Sequence, residues 1–275
     1  MVRLPRCCIL LIAAFSIYSC NSQPRPTTPS YKTTGSSTLH DTSIKTIHIY
    51  VALCDNTYQG IVPVPAKIGN GQDPGNNLYW GCAYGIKTYF KNSKDWKPVK
   101  FYKKDSVILE RAVFKHIKSN YYLVADAYDG RRIKQATIDF LNSSSGNKND
   151  TVHIDKKILG IGSHAKMISY IGHDGLMDFS LNQKFINKDS TKRNVAVLAC
   201  YSKKYFSQHL TNANINPVLW SMGLMAPEAY IIHDAIAGYI LNETNNSIKT
   251  RAAKAYSRFQ KCSEKAARNL LVTGW

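Results

Sequence analysis

Apolar runs with the length and β-rich composition of buried strands recur along the chain, and stretches with helical spacing of apolar residues lie between them. The predicted strands cover residues 47–53, 121–127, 166–173, 194–200 and 217–225. The predicted helices cover residues 78–91, 131–142, 205–212 and 226–241. Strands that alternate with helices form mostly parallel sheets, so the pattern predicts an α/β fold with helices on both faces of such a sheet.

Three further segments have weaker or different patterns. Residues 107–117 fit a helix and a strand equally, and residues 154–159 have weak helical spacing. The C-terminal segment has an apolar stripe formed by Ile248, Ala252, Tyr256, Phe259, Ala266 and Leu270. Lysine and arginine fill the rest of its surface, so we predict a C-terminal amphipathic helix that packs on the sheet. A helix that binds a membrane surface or a partner protein is the alternative for this stripe.

The first residues have the pattern of an export signal rather than of a folded element. Arg3 and Arg6 precede an apolar stretch over residues 7–17. This stretch is far shorter than the ~20 residues of a membrane-spanning helix. The segment Ile-Tyr-Ser-Cys20 that follows resembles the lipobox of bacterial lipoproteins. The resemblance implies a signal peptide over residues 1–19, lipidation of Cys20 and a membrane-anchored protein of the bacterial cell envelope. Ordinary secretion with cleavage nearby is the alternative.

The segment after the predicted signal has the composition of a linker. Residues 20–43 are rich in Ser, Thr and Pro and contain almost no large apolar side chain. They lack the apolar surface that folding requires, so we predict a disordered tether here. The folded α/β domain is then expected over residues 44–275, a length that suits one domain.

Charge and motif content narrow the expected partners. The chain has a net charge of +18, which falls to +16 when residues 1–19 are removed with their two arginines. Such a charge attracts polyanions and, in a tethered protein, anionic lipid head groups. The sequence has no helix-turn-helix, zinc finger or aromatic-basic repeat, so we expect no specific nucleic acid partner. It also has no glycine-rich phosphate loop and no Cys/His cluster, so we expect no cofactor and no metal site.

Two of the predicted strands end in side chains that together can attack an amide. His173 ends the run over residues 166–173, and Cys200 ends the run over residues 194–200. Because parallel strands of one sheet end at the same edge, we expect the imidazole and the thiol to lie side by side. In cysteine hydrolases the thiol is the nucleophile and a neighbouring imidazole is the general acid and base.

Residues close to His173 and Cys200 are candidates for supporting roles. Gly175 permits a close backbone approach, so its N–H and the N–H of Cys200 are the predicted donors to an oxyanion. Asp174 and Asp178 are both candidates to orient the imidazole. Adjacent residues of a strand point to opposite faces, so Asp178, or a backbone carbonyl, is at least as suitable as Asp174.

The segments Tyr-Ile-Gly-His173 and Val-Leu-Ala-Cys200 resemble the catalytic strand ends of the caspase-like (clan CD) cysteine peptidases. In that family one strand ends in the catalytic histidine, and the next strand of the sheet ends in an Ala-Cys or similar pair. The resemblance implies a caspase-like fold with residues 47–53 and 121–127 as earlier strands. It also implies a cysteine endopeptidase that acts on a peptide or protein substrate, with substrate-binding loops over residues 223–228.

Two alternatives to this assignment remain open. His233 follows Cys200 along the chain, so it is a second candidate base for the same thiol. The other alternative is a non-catalytic surface lipoprotein that binds a glycan, a peptide or a partner protein. Residues 78–85 contain several aromatic side chains that suit such a binding platform, although helical spacing favours packing in the core.

Overall fold

The computed structural model describes residues 39–275. The predicted signal peptide, the lipidation site Cys20 and the predicted tether up to residue 38 lie outside the described residues. At the start of the described part, the backbone N–H of Asp41 donates to the carbonyl of Ile158 at 2.9 Å. Between residues 39 and 275, no helix is both long enough and apolar enough to cross a membrane.

Eight of the strands form one mixed sheet that is parallel in its centre. The strands are β1 (Lys45–Ala52), β2 (Trp96–Tyr102), β3 (Ile108–His116), β4 (Tyr121–Tyr128), β5 (Asn149–Ile154), β6 (Lys157–Gly162), β7 (Met167–Gly172), β8 (Arg193–Leu198), β9 (Ile215–Ser221) and β10 (Leu271–Val272). The sheet order is β10-β9-β8-β7-β1-β4-β3-β2. Strands β4, β1, β7, β8 and β9 are parallel, whereas β3, β2 and β10 run antiparallel to their neighbours. The prediction of an α/β fold with a mostly parallel sheet is confirmed.

Helices cover both faces of this sheet. They are α1 (Ile86–Lys91), α2 (Ile133–Ser144), α3 (Ser202–Leu210), α4 (Ala229–Ile240), α5 (Asn245–Gln260) and α6 (Glu264–Leu270). Residues from α1, α4, α5 and α6 pack in one core with Ile47, Ile49 and Val51 of β1. Residues from α2 and α3 pack in a second core with Tyr50 and Ala52. Alternate residues of β1 are therefore buried on opposite faces, which explains why its sequence is an almost continuous apolar run.

Two local predictions differ from the structure. The helix predicted over residues 78–91 begins only at Ile86, because the side chain of Asn77 accepts hydrogen bonds from the N–H groups of Cys54 and Tyr79 and holds the preceding segment in turns. The weak helix predicted over residues 154–159 is wrong. Those residues belong to the hairpin of β5 and β6, which packs apolar side chains against Val113 and Val124 of the main sheet. The ambiguous segment over residues 107–117 is strand β3.

The predicted C-terminal amphipathic helix is divided into two helices. Helix α5 ends at Gln260, and Lys261 adopts a left-handed conformation with φ of 53°. Helix α6 then begins after Ser263, whose side chain accepts a hydrogen bond from the N–H of Ala266. On α5 the stripe residues Ile248, Ala252 and Tyr256 are buried and Phe259 is half-buried. On α6, Ala266 is exposed and its neighbour Ala267 is buried in its place. Directly after α6 the chain forms β10, which pairs antiparallel with β9 at the edge of the sheet.

Candidate active site

His173 and Cys200 lie at the same edge of the sheet. Strand β7 ends directly before His173, and strand β8 ends two residues before Cys200. The two strands are parallel neighbours, with Ile171 paired to Leu198. Both side chains line one cavity of about 250 Å³. The structure therefore brings the predicted imidazole and the predicted thiol to one site.

The backbone turn before His173 depends on a glycine. Gly172 has φ of 133°, a conformation that other residues rarely adopt, and a Cβ at this position would collide with the carbonyl of Ala52. The hydroxyl of Tyr170 donates a hydrogen bond of 2.8 Å to the carbonyl of His173. Gly172 and Tyr170 together fix the point at which the chain leaves the sheet and so position the imidazole.

The imidazole of His173 is oriented by Asp178. Its Nε2 lies 2.7 Å from the Oδ2 of Asp178, and the same oxygen accepts a hydrogen bond of 3.0 Å from the N–H of Gly60. A carboxylate only accepts hydrogen bonds, so the proton of a neutral imidazole lies on Nε2. The other nitrogen, Nδ1, has no hydrogen-bond partner within residues 39–275 and keeps its lone pair for a proton from another group.

Asp174, the other candidate orienter, makes no hydrogen bond with the imidazole. Its Oδ1 accepts a hydrogen bond of 3.0 Å from the N–H of Leu176 at the start of a short 3-10 turn. Its Oδ2 is buried without a partner in the described part of the chain. Burial raises the pKa of this carboxyl to about 7, against the lowering effect of the hydrogen bond from Leu176. Asp174 is therefore a buried acid beside the site rather than the partner of His173.

Cys200 lies in a rigid turn between β8 and α3. Tyr201, the next residue, is left-handed with φ of 50°. The hydroxyl of Ser202 donates to the carbonyl of Val197 at 2.8 Å and accepts from the N–H of Ser221 at 2.9 Å, which joins the turn to the end of β9. The thiol sulfur in turn accepts a hydrogen bond of 3.4 Å from the N–H of Met225. The sulfur therefore hydrogen-bonds with the loop after β9 and makes no hydrogen bond with the imidazole in this structure.

The ionisation of Cys200 is unfavourable in this environment. Burial raises the pKa of the thiol, the hydrogen bond with the Met225 backbone opposes that effect, and the charge of Asp174 adds to it. The thiol is thus mostly protonated at neutral pH and needs a base to remove its proton. Cys54 lines the same cavity, but it is fully buried and burial raises its pKa to about 12. Cys200 is the more accessible of the two thiols.

The two predicted oxyanion donors have different locations. Cys200 lines the cavity, and its N–H has no backbone acceptor in the part of the chain that the structure describes. Gly175 lies outside the lining, because it packs against Phe179 and against Ile133 of α2. Its carbonyl accepts hydrogen bonds from the N–H groups of Asp178 and Phe179, at 2.9 and 3.0 Å. Of the two, only Cys200 has the location that the role requires.

The loops that complete the cavity come from distant parts of the chain. Its buried lining residues besides His173 are Cys54, Tyr79, Gly172, Met225 and Pro227. Its exposed or half-buried lining residues besides Cys200 are Gly60, Ile61, Val62, Val64, Met177 and Leu224. The loop after β9 lies where the resemblance to caspase-like peptidases implies substrate-binding loops. The segment over residues 60–64 was not foreseen, and its only signal was an apolar run interrupted by prolines.

The alternative candidates lie elsewhere. His233 lies on α4, where its Nε2 is 2.8 Å from the hydroxyl of Ser93, and it is not among the residues that line the Cys200 cavity. In the aromatic segment over residues 78–85, Trp80 is fully buried and its indole N–H donates to Glu110 at 2.7 Å. Tyr79 and Trp80 are therefore part of the core, whereas Tyr84 is exposed, so the segment does not form a continuous aromatic platform.

Known proteins give no further guide to this site. No group of His, Cys, Asp and Glu side chains within residues 39–275 has the arrangement of a metal site. Comparisons of the chain with protein-family models, with curated proteins and with solved structures found no match.

Proposed function

We propose that this chain is a cysteine peptidase-like hydrolase of the bacterial cell envelope, related in its chemistry to the caspase-like peptidases. One observation carries the proposal: Cys200 and His173 line one cavity at the ends of adjacent parallel strands, and Asp178 binds the imidazole at Nε2, which leaves Nδ1 without a hydrogen-bond partner among residues 39–275. A thiol, a base and a group that orients the base are the parts that nucleophilic catalysis requires.

The chemistry follows from the protonation states of these groups. His173 Nδ1 takes the proton of the Cys200 thiol as the sulfur attacks the carbonyl carbon of a peptide bond. The N–H of Cys200 donates to the oxygen that becomes negative. The C–N bond then breaks, and the imidazolium returns its proton to the leaving amine. Water, deprotonated by the same imidazole, hydrolyses the thioester and restores the thiol.

The location in the envelope follows from the N-terminal segment. A short apolar stretch that ends in Cys20 supports export and lipid anchoring, with residues 21–38 as part of a tether between lipid and domain. Fractionation of cells that produce the chain with Cys20→Ser tests the anchor, because the variant should leave the membrane fraction. A membrane-bound Cys20→Ser variant would contradict it.

The catalytic proposal is tested with two substitutions and one control. In a mixed peptide library, Cys200→Ala and His173→Ala should each reduce cleavage at least about a hundredfold, since nucleophile and base act as a unit. Cys262→Ala is the control, because Cys262 is a half-buried thiol in the turn between α5 and α6. Its cleavage rate should match that of the native chain. Cleavage that survives Cys200→Ala, or no cleavage by the native chain, would overturn the proposal.

A further inference from the structure

The cavity beside Cys200 has an apolar lining in a strongly basic protein. None of its lining residues is Asp, Glu, Lys or Arg, although the chain has a net charge of +18. Three apolar side chains at its mouth are unusually exposed: Val62 by 86 %, Leu224 by 66 % and Met177 by 39 %. Exposed apolar side chains around a cavity are typical of a binding site, because they lose unfavourable contact with water when a ligand covers them.

The two carboxyl groups next to His173 are not part of the cavity lining. The Asp178 Oδ2 is shared between His173 and the N–H of Gly60. Asp174 is fully buried and does not line the cavity. A charged side chain that entered the cavity would lose its hydration without gaining a counter-charge, whereas an apolar side chain would gain by burial.

The size of the cavity and its position relative to the sulfur limit what enters it. A volume of about 250 Å³ is below the range of pockets that enclose a drug-sized molecule, so it suits a single large side chain. Ile61 and Val62 make no backbone hydrogen bonds to other described residues, so their N–H and carbonyl groups are available to an extended peptide. A peptide whose carbonyl carbon lies at Cys200 would thus place a neighbouring side chain in the cavity.

We propose that this cavity selects an uncharged apolar side chain, such as that of Leu, Met or Phe, next to the peptide bond that Cys200 attacks. The proposal rests on the proposed function and adds its substrate class. Val62, Met177 and Leu224 are the residues that determine the specificity. They cover the apolar side chain and exclude charged ones.

Peptide binding to the Cys200→Ala variant tests this selection without relying on turnover. Fluorescent peptides of one uncharged sequence, each with Leu, Met, Phe, Asp or Arg scanned through successive positions, are titrated by anisotropy. At one position the apolar residues should bind about tenfold or more tightly than Asp or Arg. Equal binding, a preference for a charged residue, or no binding at all would overturn the inference.

A charge introduced at the mouth of the cavity is the second test of the apolar selection. In the Cys200→Ala background, Leu224→Glu should weaken binding of the Leu peptide and strengthen binding of the Arg peptide several-fold. Leu241→Glu is the matched control, because Leu241 is 64 % exposed and lies outside this cavity. It should leave the ranking of the peptides unchanged. An identical response to the two substitutions would count against a specific role for Leu224.

The failure of this inference is distinguishable from that of the proposed function. Cys200-dependent cleavage after charged residues would contradict the apolar selection and leave the hydrolase intact. Tight binding of apolar peptides without cleavage by the native chain would contradict the hydrolase and leave the apolar selection intact.

Discussion

Asp174 is a buried acid whose ionisation differs between the folded and the unfolded chain. Asp174 has one carboxyl oxygen without a partner among residues 39–275, and burial raises its pKa to about 7. The folded chain keeps this proton at pH values where the unfolded chain has released it. The free energy of unfolding therefore falls as pH rises from about 4 to about 7 and stays low above that range.

Asp174→Asn should remove this loss of stability, because the amide stays neutral at every pH. We expect the variant to exceed the native chain by about 2–4 kcal/mol in free energy of unfolding at pH 8 and to match it near pH 3. Urea denaturation at the two pH values measures the difference. The variant should also react faster with iodoacetamide at Cys200 at pH 8, since one negative charge near the thiol is gone.

Asp105→Asn is the control of opposite sign. Burial tends to raise the pKa of Asp105, but hydrogen bonds from the N–H groups of Ile108 and Val107 outweigh it and lower the pKa. A carboxyl whose pKa is lowered in the folded state stabilises the fold at pH values above the unfolded pKa. Asp105→Asn should therefore have a lower free energy of unfolding than the native chain at neutral pH, and this difference should shrink at low pH. An Asp174→Asn variant that behaves like Asp105→Asn would contradict the assignment of Asp174 as a buried, protonated acid.

At the scale of elements, the strands that are buried on both faces were predictable from the sequence. Strands β1, β4, β7 and β8 are buried on both faces, so each is an almost continuous apolar run that identifies it without other information. In the short β5–β6 hairpin, buried Ile154 and Leu159 are separated by exposed or half-buried residues, so the pattern of residues 154–159 resembled a weak helix. The conformation of the hairpin depends on packing against β3 and β4, and the local sequence pattern does not reveal that packing.

The break between α5 and α6 has an energetic cost that one substitution can remove. Lys261 is left-handed with φ of 53°, and the N–H of Cys262 donates to the carbonyl of Ser257, as in a helix end that normally has glycine. Lys261→Gly should therefore raise the free energy of unfolding by about 0.5–1 kcal/mol. Chemical denaturation of the native chain and the variant measures this increase in the free energy of unfolding.

Lys254→Gly is the matched control for this change. Lys254 is also an exposed lysine, but it lies in the interior of α5. Glycine there should lower the free energy of unfolding by about 1 kcal/mol. Two changes of the same sign would show that the left-handed conformation of Lys261 is not a source of strain.

At the scale of the whole molecule, the candidate site depends on contacts between residues that are distant in sequence. His173 and Cys200 were predictable because strand ends are local and parallel strands end together. The choice between Asp174 and Asp178 needed the path of the turn after β7. Gly60 contacts Asp178 across a long separation in sequence, and Met225 contacts Cys200 from the loop after the next strand. Such contacts form only when the sheet is assembled.

A buried charge cluster joins the hairpin to the main sheet. Arg111 on β3 binds both carboxyl oxygens of Asp126 on β4, at 2.6 and 2.7 Å. His48 on β1 donates to Asp126 at 3.1 Å, and its Nδ1 accepts the N–H of Gly162 on the hairpin. Arg111 also lies 3.4 Å from Asp150, at the start of the hairpin. Burial favours protonation of Asp126, but Arg111 and His48 keep its pKa well below the usual value.

Arg111→Met should destabilise the whole molecule, because it leaves the Asp126 charge buried with one partner fewer. We expect a loss of about 3–5 kcal/mol in free energy of unfolding at pH 7.5. The loss should be smaller at pH 4.5, since Asp126 without Arg111 takes up a proton more readily in the folded state. Urea denaturation at both pH values measures this loss.

Arg251→Met is the control. The ion pair of Arg251 with Glu243 is exposed to solvent, so its removal should lower the free energy of unfolding far less. If the two substitutions cost the same at both pH values, the cluster would have no special role, and the hairpin would be held to the sheet by its apolar contacts alone.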